Sequence, residues 1–175
     1  MDSMNKELIL VNKDDEVVGY ATKEEAHRRG DLHRAFSVFL YHKNRMLIQQ
    51  RADDKYHSGG LWANTCCSHP IKGESLQEAV KRRLMEEAGI SCEVREAFSF
   101  VYKHEFNKNL YEHEFDHVFL GEYDGEYVIN PKEVKAFRWI ELDELMKELE
   151  ERPEIYASWF KLAAPKIVEI IKKNR

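Results

Sequence analysis

The sequence predicts one α+β domain, residues 1–175, in which a mixed β-sheet is flanked by a few helices. First, 175 residues are the length of one ordinary domain, and no repeat or Pro/Gly/Ser-rich linker divides them. Second, hydrophobic residues make up 43% of the chain, which is enough for a packed core. Third, strand-like segments are mixed with few, unevenly placed helices, which argues against a repeating parallel βαβ array.

The first third of the chain is mostly strand-like. Short apolar runs bounded by polar turns predict four strands here: 7–11, 16–22, 32–41 and 45–50. A short helical segment, 23–29, separates the second strand from the third. The last two strands form a hairpin that turns at 42–44, and a glycine-bearing loop, 53–61, follows.

The clearest predicted helix begins after Ser75 and ends at Ala88. Ser75 and Glu78 form an S-x-x-E capping box, and Gly89 follows as a helix terminator. Three further strands are predicted near 92–103, 110–122 and 136–140. The chain is expected to end in a helix over 142–150 and two short helical segments interrupted by Pro165.

Charge and cysteine content exclude several classes of protein. The 27 basic and 32 acidic residues give a net charge of −5, which lacks the even positive field of a sequence-independent nucleic-acid binder. No apolar run approaches the ~20 residues of a membrane span, and the polar start, 1–6, does not resemble a secretory or transit segment. Three cysteines, two of them adjacent, form no disulfide framework. We therefore expect a cytoplasmic protein with free thiols, and neither nucleic acid nor a membrane as its partner.

Two charged residues interrupt the apolar face of the predicted 76–88 helix. At about 100° per residue, Ala79, Val80 and Leu84 cluster on one face, and Arg83 and Glu87 fall in its middle. The two charged residues are i,i+4 neighbours and can pair with each other. The alternative is that they serve a site, because charges at a core-facing position require compensation.

Acidic residues occupy one face of the predicted strand 110–122. Period-2 alternation places Glu112, Glu114 and Asp116 on the same face, where their carboxylates repel each other. Exposure to solvent would make this repulsion harmless. A bound cation would instead turn it into binding, with Glu112 and Glu114 as paired ligands.

One cysteine and three histidines have suggestive spacings. Cys67 and His69 share a strand face as i,i+2 neighbours, an arrangement that suits a metal site, a nucleophile and its base, or simple packing. His27 and His33 flank a glycine where a helix meets a strand, and the same alternatives apply to them. The other five histidines show no comparable pattern and are assigned to loops, surface or packing: His42, His57, His104, His113 and His117.

Residues 68–90 resemble the Nudix box, G-x5-E-x7-R-E-U-x-E-E-x-G-U, where U is apolar. The matching residues are Glu74, Arg82, Leu84, Glu86, Glu87, Gly89 and Ile90. Ser68 replaces the first glycine, and Arg83 replaces the glutamate after Arg82. Nudix hydrolases use the clustered glutamates to hold divalent cations. Arginine in place of glutamate at position 83 therefore removes a metal ligand and adds a group that binds phosphate. The resemblance implies a Nudix-type α/β/α sandwich.

These departures and several further motifs resemble the type I isopentenyl-diphosphate isomerases, a family with the Nudix fold. The similarity extends over 8–159 and includes, in order, His27, 32–36, 50–52, Lys55, 60–62, 64–70, Tyr102, Glu112-x-Glu114 and 157–159. Many separated motifs in the same order make the match specific. The resemblance implies an enzyme that interconverts isopentenyl diphosphate and dimethylallyl diphosphate in a metal-dependent site.

The resemblance also implies a role for each site residue. Glu114, with Tyr102 beside it, would protonate the alkene while Cys67 removes a proton on the opposite face of the substrate. Trp159 would shield the carbocation with its π face. One divalent ion, Mn²⁺, Zn²⁺ or Mg²⁺, would have five ligands: His27, His33, His69, Glu112 and Glu114.

The same resemblance implies a diphosphate site. Glu87 would face a Mg²⁺ ion shared with the substrate's diphosphate. Ser68 would donate a hydrogen bond to the diphosphate, and Cys66 would only pack, because it points to the other face of an extended segment. The remaining negative charge would be neutralised by four cations: Lys23, Arg51, Lys55 and Arg83.

Two other interpretations remain. A Nudix pyrophosphohydrolase would cleave a nucleotide or prenyl diphosphate, but Arg83 and the Cys67–His69 pair argue against it. A non-catalytic zinc or redox module would use His27, His33, His69 and the thiols as structural ligands. Two strand glutamates, however, do not resemble the closed four-ligand sites of structural zinc.

Overall fold

A computed structural model describes residues 6–55, 57–107 and 109–174. The strands are β1 (Glu7–Val11), β2 (Val17–Thr22), β3 (His33–His42), β4 (Arg45–Arg51), β5 (Trp62–Ala63), β6 (Cys66–Ser68), β7 (Arg95–Asn107), β8 (Leu110–Glu122) and β9 (Val134–Glu141). The helices are α1 (Lys23–Arg29), α2 (Leu76–Ala88), α3 (Leu142–Glu151) and α4 (Ser158–Lys173), with a 3₁₀ turn at Pro153–Ile155. The seven predicted strands occur in the expected order, although β7 begins and ends later than expected, and β5 and β6 are two short strands that were not predicted.

The sheet is mixed because one central ladder is parallel. β3 and β8 run parallel, and His33 lies opposite Glu114 in their register. The other ladders between named strands are antiparallel, and the β7–β8 ladder places Tyr102 opposite Glu114. Glu114 therefore has a strand neighbour on each side, and both neighbours belong to the predicted site.

The two faces of the sheet are covered by different helices. Phe36, Val38 and Leu40 of β3 belong to the hydrophobic cluster that contains the apolar residues of α2. Phe39 points to the other face, where its ring stacks on Phe160 of α4 at 5.8 Å between centroids. This alternation follows from the period of two in a strand, and it confirms the predicted sandwich of helices around a mixed sheet.

Helix α2 begins and ends where its capping residues predict. The Ser75 hydroxyl accepts a hydrogen bond from the Glu78 amide at 3.1 Å, and the Glu78 carboxylate accepts one from the Ser75 amide at 3.0 Å. Gly89 adopts a left-handed conformation, with φ of 64°, after the last helical residue. These two caps fix the position of the charged residues on the helix.

The prediction that Pro165 interrupts the last helical region is wrong. α4 runs without a break from Ser158 to Lys173 and contains Pro165. The apolar residues on either side of the proline, Phe160 and Ala164 before it and Ile167 after it, are fully buried against the sheet. Burial of this long apolar face offsets the cost of one missing backbone donor.

Across the residues that the structure describes, no helix is both long and apolar enough to cross a membrane.

Candidate functional site

The predicted site residues converge on one cavity of about 420 Å³. Its walls come from separate parts of the chain, including α1, β6, α2, β8, the start of α4 and the loop after β4. Ten of the predicted site residues line it: Lys23, Arg51, Lys55, Cys67, Ser68, His69, Arg83, Glu112, Glu114 and Trp159. His27, His33, Glu87 and Tyr102 are buried in the surrounding structure.

The acidic face of β8 points into the protein, so the solvent-exposed alternative is wrong. Glu112, Glu114 and Asp116 are 4%, 7% and 1% exposed. The Ser37 hydroxyl donates to Asp116 Oδ2 at 2.8 Å, and burial raises the pKa of Asp116 to about 7. Burial and the neighbouring Glu112 together raise the pKa of Glu114 well above its usual range.

Glu112 is the centre of a first group of possible metal ligands. His27 Nε2 lies 2.8 Å from Glu112 Oε2, and His57 Nε2 lies 3.0 Å from the same oxygen. His27 Nδ1 lies 2.7 Å from the backbone carbonyl of Lys23. Because a carbonyl oxygen only accepts hydrogen bonds, His27 Nδ1 carries the proton and its Nε2 faces the carboxylate.

Glu114 is the centre of a second group, with His33 and His69. The ligand atoms of these three residues lie within 4.8 Å of one another, and His33 Nε2 is 3.7 Å from Glu114 Oε2. The His33 and His69 rings are 5.4 Å apart, and the His27 and His33 rings are 5.5 Å apart. The five predicted ligands therefore lie close together, but their ligand atoms fall into two groups rather than one set of five.

The chemistry of these two groups fits a divalent cation. His33 Nε2 is buried and lacks a hydrogen-bond partner among the described residues, which a metal ion would supply. Burial lowers the pKa of His33 to about 4 and that of His69 well below its usual range, so both rings stay neutral and keep a lone pair for a metal. A positive ion would also remove the repulsion between Glu112 and Glu114.

One part of the cavity wall carries cations. Arg51, Lys55, Arg83 and Lys23 form this cationic wall, and burial lowers the pKa of Lys23. Glu133 contacts two of these cations, since its Oε2 accepts a hydrogen bond from Lys55 and lies 3.1 Å from a guanidinium nitrogen of Arg83. The wall is suited to bind an anion with several charged oxygens.

Arg83 and Glu87 do pair with each other, as the first alternative for α2 expected. A guanidinium nitrogen of Arg83 donates to Glu87 Oε2 at 2.5 Å, and the Gln49 side-chain amide donates to Glu87 Oε1 at 3.0 Å. Arg83 also lines the cavity, whereas Glu87 is 3% exposed. The pairing thus compensates a buried carboxylate and holds a guanidinium at the cavity wall, so the two alternatives for α2 are compatible.

The two adjacent cysteines have different surroundings. Cys66 is fully buried in the cluster packed under α2, in agreement with its predicted packing role. Cys67 lines the cavity, and Arg51 donates to its Sγ at 3.5 Å. Burial raises the pKa of Cys67 to about 11, and the positive charge of Arg51 opposes this rise.

Trp159 and Tyr102 form an aromatic corner of the site. The indole Nε1–H of Trp159 donates to Asn64 Oδ1 at 3.0 Å, and the Arg51 guanidinium lies 5.1 Å from the indole centroid. The Tyr102 ring packs edge-on against Trp159 at 6.5 Å between centroids. Burial raises the pKa of Tyr102, so its phenol keeps its proton.

Most of the chain matches known proteins. Residues 31–162 match the family model of the NUDIX domain. The isopentenyl-diphosphate Delta-isomerase 2 of Aromatoleum aromaticum is 48% identical over 172 residues, which cover 98% of this chain and 91% of that protein. The isopentenyl-diphosphate Delta-isomerase of Burkholderia multivorans is 47% identical over 158 residues, or 90% of each chain. The chain belongs to the isopentenyl-diphosphate isomerase family of Nudix proteins.

Two solved structures of lower sequence identity share the fold of this isomerase-family chain. The crystal structure of DR0079 from Deinococcus radiodurans superimposes with a TM-score of 0.77 over 92% of this chain and 98% of that one, at 22% identity. A MutT protein from Methanosarcina mazei superimposes with a TM-score of 0.61 over 82% and 94% of the two chains, at 17% identity. At these identities the likeness concerns the fold alone.

Two residues that line the cavity of this isomerase-family chain were not predicted as site residues from the sequence. His57 lies in a loop, as expected, but it also contacts Glu112 inside the site, which was not predicted. Glu133 was not singled out, although it contacts Lys55 and Arg83. Both belong to irregular segments, where neither strand nor helix periodicity indicates which way a side chain points.

Proposed function

We propose that the chain interconverts isopentenyl diphosphate and dimethylallyl diphosphate by adding a proton at one end of the allylic unit and removing one at the other. The observation that carries this proposal is that Cys67 and Glu114 line the same cavity, together with a cationic wall and an indole ring. The negative charge of a diphosphate is complementary to the cationic wall. The apolar aromatic corner is suited to the short hydrocarbon part of the substrate. The names of the relatives support the same reaction.

The cationic wall binds the diphosphate. Arg51 and Arg83 donate paired N–H groups, while Lys23 and Lys55 contribute compact positive charges. Ser68, also in the wall, donates its hydroxyl to a phosphate oxygen. Both oxygens of Glu87 accept hydrogen bonds but keep further lone pairs, with which Glu87 would bind a Mg²⁺ ion shared with the diphosphate.

One divalent ion, Mn²⁺, Zn²⁺ or Mg²⁺, would be held by five residues: His27, His33, His69, Glu112 and Glu114. This mixed nitrogen and oxygen donor set suits such ions better than Ca²⁺, which takes oxygen ligands. Such an ion would supply positive charge that lets two buried carboxylates lie side by side, and Glu114 would then face the alkene. The chain's own contribution is to fix each imidazole, as the Lys23 carbonyl does for His27.

Proton transfer uses groups from two different strands. Glu114, with Tyr102 beside it, gives a proton to the terminal carbon, and the π electrons of the double bond form the new C–H bond. The charge is left on the tertiary carbon. The minor thiolate form of Cys67, to which Arg51 donates a hydrogen bond, then takes a proton from the neighbouring methylene, and that C–H electron pair becomes the new double bond.

Trp159 protects the intermediate from water. Its indole lies at the cavity wall and is held by Asn64. An aromatic face stabilises a desolvated cation by about 2 kcal/mol or more. The same ring occupies the space from which water would otherwise add to the tertiary carbon.

An isomerase assay in deuterated water tests the proposal. The purified chain with Mg²⁺ is expected to convert isopentenyl diphosphate and to place deuterium on carbon. Cys67→Ala is expected to abolish turnover. Cys92→Ala, which changes a cysteine outside the cavity, is the matched control and is expected to keep it.

Two results would contradict the proposal. One is full turnover by the Cys67→Ala variant. The other is release of inorganic phosphate or a monophosphate without isomerisation, the result that a Nudix pyrophosphohydrolase would give.

A further inference from the structure

His57 combines burial with an unusual set of contacts. It is 9% exposed although it belongs to the loop after β4. Its ring stacks on Phe106 at 4.4 Å between centroids, and it meets the edge of Trp159 at 5.8 Å. Its backbone carbonyl accepts a hydrogen bond from Arg51 at 3.3 Å. Two of these three contacts, with Trp159 and Arg51, are therefore with residues of the proposed site.

The polar atoms of the His57 ring have a consistent set of hydrogen bonds. Nε2 lies 3.0 Å from Glu112 Oε2, and Nδ1 lies 3.2 Å from the Ser58 hydroxyl. A carboxylate only accepts, whereas a hydroxyl can donate. The arrangement fits a neutral ring that donates from Nε2 to Glu112 and accepts at Nδ1 from Ser58.

His57 belongs to the first of the two groups of possible metal ligands, where its hydrogen-bond partner is Glu112. Its ligand atom groups with those of His27 and Glu112, whereas His33 and His69 group with Glu114. His57 thus shares one carboxylate oxygen with His27 and lies outside the second group. A residue in this place acts on an ion by fixing the carboxylate that binds it.

We propose that His57 is a positioning residue that donates a hydrogen bond to Glu112 and so orients this carboxylate toward a bound divalent ion. The proposal rests on the metal site described under Proposed function. Nothing in it requires His57 to touch the substrate or the ion. The stack on Phe106 and the contact with Arg51 hold the ring in the orientation that this hydrogen bond needs.

Two amide variants separate the hydrogen bond from simple packing. In His57→Gln the side-chain amide nitrogen reaches about as far as Nε2 and keeps a donor for Glu112. In His57→Asn the amide is one carbon shorter and loses that contact. Both variants lose the aromatic ring, so a purely structural role predicts equal effects. Loss of such an outer hydrogen bond lowers metal affinity by about 10- to 100-fold.

The measurement is the dissociation constant of Mn²⁺ and of Zn²⁺ for the purified chain, by competition with a chelator. His57→Asn is expected to bind about 10- to 100-fold more weakly, and His57→Gln to bind within about threefold of the original chain. Thermal unfolding in the presence of EDTA shows whether each variant is folded. His42→Asn, at the hairpin after β3, is the control.

Three outcomes overturn the proposal, and they are distinguishable. Equal metal affinity in the original chain and in His57→Asn removes the role of His57 but leaves the metal site. Equal weakening in the Asn and Gln variants assigns His57 to packing. Failure of the original chain to bind either ion removes the metal site itself, and the proposal with it.

Discussion

Tyr102 and Glu114 lie directly opposite each other in the antiparallel β7–β8 ladder. On its other side, Glu114 lies opposite His33 in the parallel β3–β8 ladder. The backbone hydrogen bonds of three strands thus fix the spacing of a phenol, a carboxyl group and an imidazole. Groups held on strands are positioned more accurately than groups on loops, which suits the two roles proposed for Glu114, metal binding and proton transfer.

Glu114→Gln tests the proton donor. The amide keeps the shape of the side chain, but it can neither transfer the proton nor bind metal as a carboxylate does. We expect turnover to fall by about 10³-fold, in the range for loss of a general acid. Glu122→Gln, an exposed glutamate at the end of the same strand, is the control and is expected to keep full activity. Activity in Glu114→Gln within tenfold of the original chain would assign the proton to another group.

Tyr102→Phe removes one hydroxyl from the buried aromatic corner. The ring still packs against Trp159, so we expect the fold and KM to change little. If the phenol assists proton transfer from Glu114, kcat falls by roughly 10²-fold. Steady-state kinetics with isopentenyl diphosphate measure the two constants separately. A change in KM alone would assign the hydroxyl to substrate binding.

Regular parts of the fold were predictable because local patterns determine them. The Ser75–Glu78 box and Gly89 gave both ends of α2, and alternation along β8 placed Glu112 and Glu114 on one face. The prediction of a break at Pro165 was wrong because the structure there depends on contacts with distant residues. A proline is a local signal against a helix, whereas the burial that overrides it depends on a sheet surface formed by distant residues.

Site residues were predictable only where a motif or a regular element carried them. The resemblance supplied His27, His33 and His69, which the structure brings together from α1, β3 and the segment after β6. His57 and Glu133 lie in irregular segments, and their contacts are with residues far away in sequence. No period or spacing in a single sequence encodes such contacts.

Glu133→Gln tests how the cationic wall is organised. Glu133 holds Lys55 and Arg83, and loss of its charge leaves two neighbouring cations without the anion between them. Arg83 keeps its hydrogen bond to Glu87, whereas Lys55 loses its carboxylate partner, so we expect KM for isopentenyl diphosphate to rise about tenfold, or ~1.4 kcal/mol, with little change in kcat. Glu126→Gln, an exposed glutamate, is the control. A fall in KM would show instead that the Glu133 carboxylate competes with the diphosphate.

Alkylation of Cys67 should depend steeply on pH. Burial raises the pKa of Cys67 to about 11, so near pH 7 only about one thiol in 10⁴ is ionised and reactive. Between pH 7 and 10 we expect the rate with iodoacetamide to rise about tenfold per pH unit. Arg51→Gln removes the cation that lowers this pKa, so at any pH in this range the variant reacts more slowly. Mass spectrometry of the Cys67 peptide measures the rate, and a plateau below pH 9 would contradict the prediction.

Asn64→Leu tests the support of the indole. Asn64 is 1% exposed; its Oδ1 accepts from Trp159, and its amide donates to the carbonyls of Val38 and Cys66 at 3.2 and 2.6 Å. Leucine has a similar shape but leaves these three buried groups unpaired, at about 1–3 kcal/mol each before relaxation. We expect the free energy of unfolding in urea to fall by about 3 kcal/mol.

The same variant should lower kcat more than it raises KM, because Trp159 loses its anchor near the carbocation while the cationic wall is unchanged. Asn174→Leu, at the exposed end of α4, is the control for both measurements. An unchanged free energy of unfolding would show that the three groups find other partners. A rise in KM without loss of kcat would show that the indole contributes to binding rather than to protection of the intermediate.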